Sequence, residues 1–226
     1  MYKYLLFDLD GTLTDPKEGI TNCIAYALEM NGMKAPSMEE MMVCIGPPLY
    51  YSFKEIFGMD EEKAVKAVAD YRVRFREKGI YENALYDGIN EALATLRENG
   101  FKIALATSKP SEFAKIILKF FEIDKYFDVV YGSEFDGRRE TKTEVIEDVL
   151  KEFKEKFEND CIIDDTEFLS KCVMIGDRKH DIIGAKNCCI DSIGVRYGYA
   201  PEGELEEYEA THIVETIDEL IKYLLD

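Results

Sequence analysis

Apolar residues follow two alternating patterns along this chain. Short, nearly continuous apolar runs bounded by turn residues recur at Tyr2 to Leu9, Lys102 to Thr107 (KIALAT), Phe127 to Tyr131 (FDVVY), Cys172 to Gly176 (CVMIG) and Ile190 to Val195 (IDSIGV). Runs this short and this uniformly apolar belong to strands covered on both faces, as in parallel sheets. A briefer run, Thr211 to Val214, suits an edge strand. Between the runs, apolar positions recur every three or four residues. Phe113, Ile116, Ile117, Phe120 and Phe121 make one helical face behind a capping Ser111, with Lys115 and Lys119 opposite. Thr141 and Glu144 have capping-box spacing and open a helix running to about Phe153. Strands alternating with helices specify an α/β fold with a doubly wound parallel sheet, Rossmann-like in class.

Residues 15–86 break the alternation. Asp15-Pro16 opens a helix with Ile20, Cys23, Ile24, Ala27 and Leu28 on one face, stopped by Gly32. Ser37 and Glu40 mark a second start. Asp60 begins a third helix with Ala64, Ala67, Val68, Tyr71 and Phe75 in register, ending at Gly79. The chain therefore reads as an α/β core of residues 1–14 and 87–226 with an inserted all-helical cap domain at 15–86. Hinges are expected near Thr14 to Pro16 and Glu82 to Asp87.

Charge narrows the partners. The 226 residues carry a net charge of −18, a surface that repels nucleic-acid phosphates and anionic lipid headgroups. Neither nucleic acid nor a membrane is an expected partner. No run approaches the ~20 apolar residues of a membrane span, and Met1-Tyr2-Lys3 does not open a signal peptide; a cytoplasmic location is expected. The six cysteines (Cys23, Cys44, Cys161, Cys172, Cys188, Cys189) show no Cys-x-x-Cys spacing, and His180 and His212 are far apart. Reduced thiols are expected in place of disulfides or a zinc site.

The strand ends carry the chemistry, because ligands of open α/β sheets bind beyond the carboxyl ends of the strands. The first strand delivers Asp8 and Asp10, two apart and so able to face one cavity, followed by a turn-forming Gly11. The second delivers Thr107 and Ser108, and Lys142 stands in the first turn of a helix. The fourth delivers Gly176-Asp177, with Asp181 one helical turn on. Carboxylates converging on one rim repel each other unless a cation joins them. An all-oxygen set points to a hard ion, Mg²⁺ before Ca²⁺ or Mn²⁺. A hydroxyl and a lysine beside that ion would make a phosphate site within an acidic protein.

Asp8-Leu9-Asp10-Gly11-Thr12, Thr107, Lys142 and Gly176-Asp177-x-x-x-Asp181 resemble, in order and spacing, the four motifs of the haloacid-dehalogenase-like phosphohydrolases. The resemblance spans nearly the whole chain. It is nearer to the phosphoglycolate phosphatase branch, which includes 5′-nucleotidase-like members, through segments such as Asp8 to Ile20, Ile45 to Leu49, Tyr81 to Ile89 and Gly176 to Ala185. It implies a Mg²⁺-dependent phosphatase in which Asp8 is the nucleophile that becomes an aspartyl-phosphate and Asp10 is the general acid and base. The metal would be held by the Asp8 carboxylate, the Asp10 backbone carbonyl and Asp177, with Asp181 acting from behind or through a water. Thr107, the Ser108 backbone N–H and Lys142 would surround the phosphoryl oxygens.

The implied substrate is a small phosphorylated metabolite, phosphoglycolate first and a nucleoside 5′-monophosphate second, taken by a monomer or homodimer. A sugar phosphomutase and a non-enzymatic phosphometabolite-binding regulator are the rival readings. In the cap, the turn Gly46-Pro47-Pro48-Leu49 is the expected loop to the substrate, with Gly46 as its binding position and Tyr50, Tyr51 and Arg72 as readers of the organic moiety. Lys109 reads more simply as a rim residue, Arg178 as a partner of local carboxylates and His180 as a packing or surface residue, and Asp164, Asp165 and Glu167 as a solvated loop. The stretch from Lys154 to Ser170 is longer than the family's usual connection. Cys188-Cys189 stands where relatives commonly place a glycine, so a different local backbone is expected there.

Overall fold

The computed structural model describes residues 1–158 and 164–226; Cys161 and the middle of the long 154–170 connection lie outside the described residues. The first elements are β1 (Tyr4–Phe7), β2 (Thr14–Asp15), α1 (Lys17–Met30), α2 (Met38–Met41), α3 (Leu49–Tyr51), α4 (Glu61–Arg74) and β3 (Ala84–Leu85). There follow α5 (Ile89–Glu98), β4 (Lys102–Pro110), α6 (Ser111–Phe120), β5 (Val129–Ser133), α7 (Lys142–Phe157) and α8 (Asp165–Leu169). The chain closes with β6 (Cys172–Gly176), α9 (Lys179–Asn187), β7 (Asp191–Val195), α10 (Glu204–Glu207), β8 (His212–Val214) and α11 (Ile217–Leu225). It divides into two compact units, Met1–Thr14 with Leu85–Asp226, and Asp15–Ala84. β2 and β3, where the chain crosses between the units, pair in a two-stranded ladder.

In the larger unit six parallel strands run in the order β5-β4-β1-β6-β7-β8. β1 is wholly buried between β4 and β6, with Phe7 opposite Leu105 on one side and Ile175 on the other. The carboxyl ends of β1 and β6 are thereby nearly level, and β4 runs on past them to Pro110. Strand order reverses between β1 and β6, which opens a crevice beyond those ends.

One face of the sheet is covered by α7, whose Val145, Ile146, Val149, Leu150 and Phe153 pack with Tyr4, Leu6, Ala104, Ala106 and Met174. Each Val, Leu, Ile, Phe or Met side chain of this cluster contributes roughly 1.5–3 kcal/mol on burial. Tyr4 is fully buried and donates its hydroxyl to Glu158, which also accepts from Lys3 Nζ at 2.9 Å. The polar end of this tyrosine is thus satisfied inside the core.

Several local expectations are corrected. Ser111 caps nothing: its Oγ bridges both backbone groups of Gly132 (3.1 and 3.0 Å), tying α6 to β5. The buried stripe of α6 is Phe113, Ala114, Ile117 and Leu118, leaving Phe120 about half exposed. The acidic group at Asp164 is a capped helical turn, with Asp164 accepting from Thr166 N and ion pairs joining Asp165 to Lys154 and Glu167 to Lys171. Cys189 adopts φ +57 after α9, so the backbone makes the left-handed turn a glycine would have made. Helices α5 and α11, and the short α3, α8 and α10, lie where the sequence pattern assigns no helix. Among the described residues the cysteines are free thiols.

The helical unit stands on α1 and α4. α1 buries Ile20, Cys23, Ile24, Ala27 and Leu28, and α4 buries Ala64, Ala67 and Tyr71. Asp60 caps α4 by accepting from Lys63 N at 2.9 Å. The helix continues through a wider turn to Gly79, in which Ile80 N bonds Phe75 O at 2.9 Å. Arg74 grips Glu82 with two hydrogen bonds of 2.7 and 2.9 Å.

Candidate active site

Asp8 extends the β1–β6 ladder by one residue, its N–H donating to Ile175 O at 2.9 Å. The chain then turns sharply. Leu13 N and Thr14 N both bond Leu9 O, and Gly11 N bonds Thr14 O at 2.7 Å. Gly11 has φ +83, and a Cβ there would lie 2.2 Å from Asp177 Oδ2. Only glycine satisfies both conditions.

Asp177 follows β6 and is fully buried. Its Oδ2 accepts from Tyr199 N at 2.7 Å and its Oδ1 from Thr12 Oγ1 at 3.4 Å. Asp181 sits in the first turn of α9, where the helix dipole favours a negative charge. Its two oxygens are divided between tasks. Oδ2 caps the helix from Arg178 N at 3.1 Å, and Oδ1 faces Lys142.

Lys142 starts α7 behind a complete Thr141–Glu144 capping box. Its Nζ donates to Ala106 O at 3.1 Å and lies 2.9 Å from Asp8 Oδ1 and 2.7 Å from Asp181 Oδ1. Both contacts are ion pairs, and among the described residues neither oxygen has a hydrogen-bond donor beyond this ammonium. Burial alone would push Lys142 toward neutrality, but Asp181 and Asp8 outweigh it and hold the ammonium above the ordinary lysine range.

Single carboxylate oxygens of Asp8, Asp177 and Asp181 lie within 4.8 Å of one another. Burial, reinforced by Asp181 and Asp8, pushes Asp177 well above the usual carboxylate range. Burial also raises Asp181 against the pull of Lys142. Asp10 is raised by burial too, although Lys109 opposes this from 2.8 Å on Asp10 Oδ2. One lysine does not neutralise three carboxylates. Their oxygens are hard donors converging within 4.8 Å, a set that fits a divalent cation of the Mg²⁺ or Ca²⁺ kind.

The sequence-derived set is therefore brought together in part. Asp8, Asp177, Asp181 and Lys142 form one buried group, and Asp10 stands beside it on Lys109. Thr107 is buried within β4, just past Ala106 where the register with β5 shifts, and its Oγ1 accepts from Lys109 N at 3.2 Å. Ser108 is exposed, its carbonyl accepting from Ser133 Oγ. Gly46 belongs to the helical unit, with φ +105. In that unit Tyr50 and Arg72 line one surface depression with Val65, Val68 and Ala69.

Lys109 is no rim residue, since its side chain is 7 % exposed and paired to Asp10. Arg178 pairs with Glu204 at 2.8 Å, and His180 is exposed. Glu204, Tyr199 and Thr12 also hold this region in place. No spacing rule marks the first two; Thr12 stood in the Asp-x-Asp-Gly-Thr motif with its role unread.

The family model described as haloacid dehalogenase-like hydrolase matches residues 5–195. The chain belongs to this family. A 5′-nucleotidase of Pseudomonas aeruginosa is 44% identical over 93% of this chain and 90% of its own length. A Mycobacterium tuberculosis protein named tyrosine-protein kinase PtkA is 34% identical, over 96% of this chain and 70% of its own length. The crystal structure of a predicted phosphatase from Clostridium acetobutylicum superposes with a TM-score of 0.88 at 41% identity, covering 100% of this chain and 99% of that one. This haloacid dehalogenase-like hydrolase is a phosphatase. Among its described residues, no helix is long and apolar enough to cross a membrane.

Proposed function

We propose that the protein is a Mg²⁺-dependent phosphomonoesterase working through Asp8, with nucleoside 5′-monophosphates as the first substrate class and phosphoglycolate as the second. The observation that carries this reading is the meeting of the Asp8, Asp177 and Asp181 carboxylates within 4.8 Å, with Lys142 paired to Asp8 and Asp181. The 44% identity to a 5′-nucleotidase favours nucleotides over the phosphoglycolate suggested by the motif branch.

Asp8, the Asp10 backbone carbonyl and Asp177 would hold Mg²⁺, with Asp181 steadying the set. When bound, the ion supplies charge against the phosphoryl oxygens and against carboxylate repulsion. The Asp8 carboxylate attacks phosphorus while the bond to the leaving oxygen breaks, and Asp10 hands that oxygen a proton. A water then attacks the aspartyl-phosphate, gives its proton to Asp10, and releases phosphate with Asp8 restored. Lys142 and Thr107, with the Ser108 N–H, meet the charge spread over the phosphoryl oxygens. In the helical unit we further propose Gly46 as a substrate-binding position, with Tyr50, Tyr51 and Arg72 as readers of the organic moiety.

The test is phosphate release from nucleoside monophosphates, phosphoglycolate and sugar phosphates, with Mg²⁺ or with chelator, for wild type and Asp8→Asn. Turnover that needs Mg²⁺ and vanishes in the variant supports the reading. Isomerised sugar phosphate without free phosphate would replace it with the mutase.

A further inference from the structure

We propose that residues 196–204, the segment after β7, are a positioning strap that aims the Asp177 carboxylate at the cation site, with Tyr197 and Gly198 as its working residues. The proposal rests on the cation reading above.

The strap is anchored at both ends. Arg196 N bonds Val214 O on β8 at 2.9 Å, and its guanidinium pairs with Glu215 and Glu206. At the other end Glu204 accepts from Arg178 Nε at 2.8 Å and from Lys179 N at 3.1 Å, at the start of α9. Between these anchors the chain touches both turns that carry the acidic residues. Tyr197 donates its hydroxyl to Thr12 O at 3.1 Å and packs edge-on against Tyr86, ring centres 5.2 Å apart. Tyr199 N donates to Asp177 Oδ2 at 2.7 Å.

Gly198 lies between them with no room to spare. A Cβ at this position would sit 2.3 Å from Asp177 Cβ and 2.4 Å from Gly11 O. The backbone of the strap is thus wedged between the turn after β1 and the residue after β6. Asp177 is held on one oxygen by the strap and on the other by Thr12, whose carbonyl the strap also holds. Partners of ligating carboxylates govern metal affinity in this way: they hold the donor atoms in place before the ion arrives.

Tyr197→Phe removes one hydroxyl from a site that otherwise keeps its shape, and Gly198→Ala pushes Asp177 aside. Mn²⁺ binding to the phosphate-free protein is read by electron paramagnetic resonance of the unbound ion, with thermal melting as a check on folding. Affinity is expected to fall about fivefold in Tyr197→Phe, the worth of one hydrogen bond, and roughly 10- to 100-fold in Gly198→Ala. For Tyr197→Phe the half-saturating Mg²⁺ concentration for turnover should rise by the same factor, with kcat at saturating Mg²⁺ within about twofold of wild type. Unchanged Mn²⁺ affinity in Tyr197→Phe, beside saturable binding in wild type, overturns the strap alone. No saturable binding in wild type overturns the cation reading and the strap with it.

Discussion

Lys142 Nζ lies 2.7 Å from Asp181 Oδ1, with neither side chain more than 4 % exposed. The pair joins the first turns of α7 and α9, and Asp8 completes it from β1. Removing the lysine leaves two buried carboxylates facing each other, an arrangement that costs about 3–5 kcal/mol. Lys142→Met should therefore lower stability by that order and turnover at least ~100-fold. Urea unfolding with and without Mg²⁺ checks the cause, since the ion should restore part of the lost stability. An equal loss under both conditions would mean that packing, and not charge, is at fault.

The same imbalance of charge makes stability depend on the cation in the wild-type protein. A ligand that binds only the folded chain adds about 2.7 kcal/mol at a hundred times its dissociation constant. The melting temperature should rise with Mg²⁺ and fall with chelator, and Asp177→Asn should blunt the difference. Identical melting in both conditions would argue against a bound cation.

Gly11 answers to two constraints, φ +83 and the approach of Asp177 Oδ2. Gly11→Ala should cost about 1–3 kcal/mol from the backbone alone and should abolish most turnover by displacing Asp177. Denaturant melts and steady-state rates separate the two effects. A variant with wild-type activity would remove the need for a close approach.

In the helical unit, the Arg74 guanidinium holds Glu82 below its ordinary value of 4.5. A depressed carboxylate contributes stability above its unfolded pKa and loses it as pH falls through the folded one. Wild type should exceed Glu82→Gln by about 1–2 kcal/mol at neutral pH, the gap closing once pH drops below the ordinary glutamate value. Unfolding curves from pH 7 to 3 for both proteins would show it, and a gap independent of pH would exclude the charge as its source.

Much of this protein was legible because its signals are local. The continuous apolar runs became β1, β4, β6 and β7, and the Thr141–Glu144 and Ser37–Glu40 spacings became complete capping boxes. α5 and α11 escaped the periodicity reading, although Ile89, Leu93 and Leu96 in one and Leu220 and Leu224 in the other are buried at helical spacing. Ser111 misled because a helix-start serine ordinarily caps, whereas Gly132 on the neighbouring strand offers it both a donor and an acceptor.

The sequence by itself determined which chemical groups stand at which strand ends, since periodicity and turn chemistry act over a few residues. Only the tertiary structure decided which of those groups meet. Strand order and register bring Lys142 to Asp8, seat Lys109 on Asp10, and lay residues 196–204 against Gly11 and Asp177. Those contacts span many tens of residues in the chain. They depend on how the strands are ordered and levelled in the sheet, which no local pattern encodes.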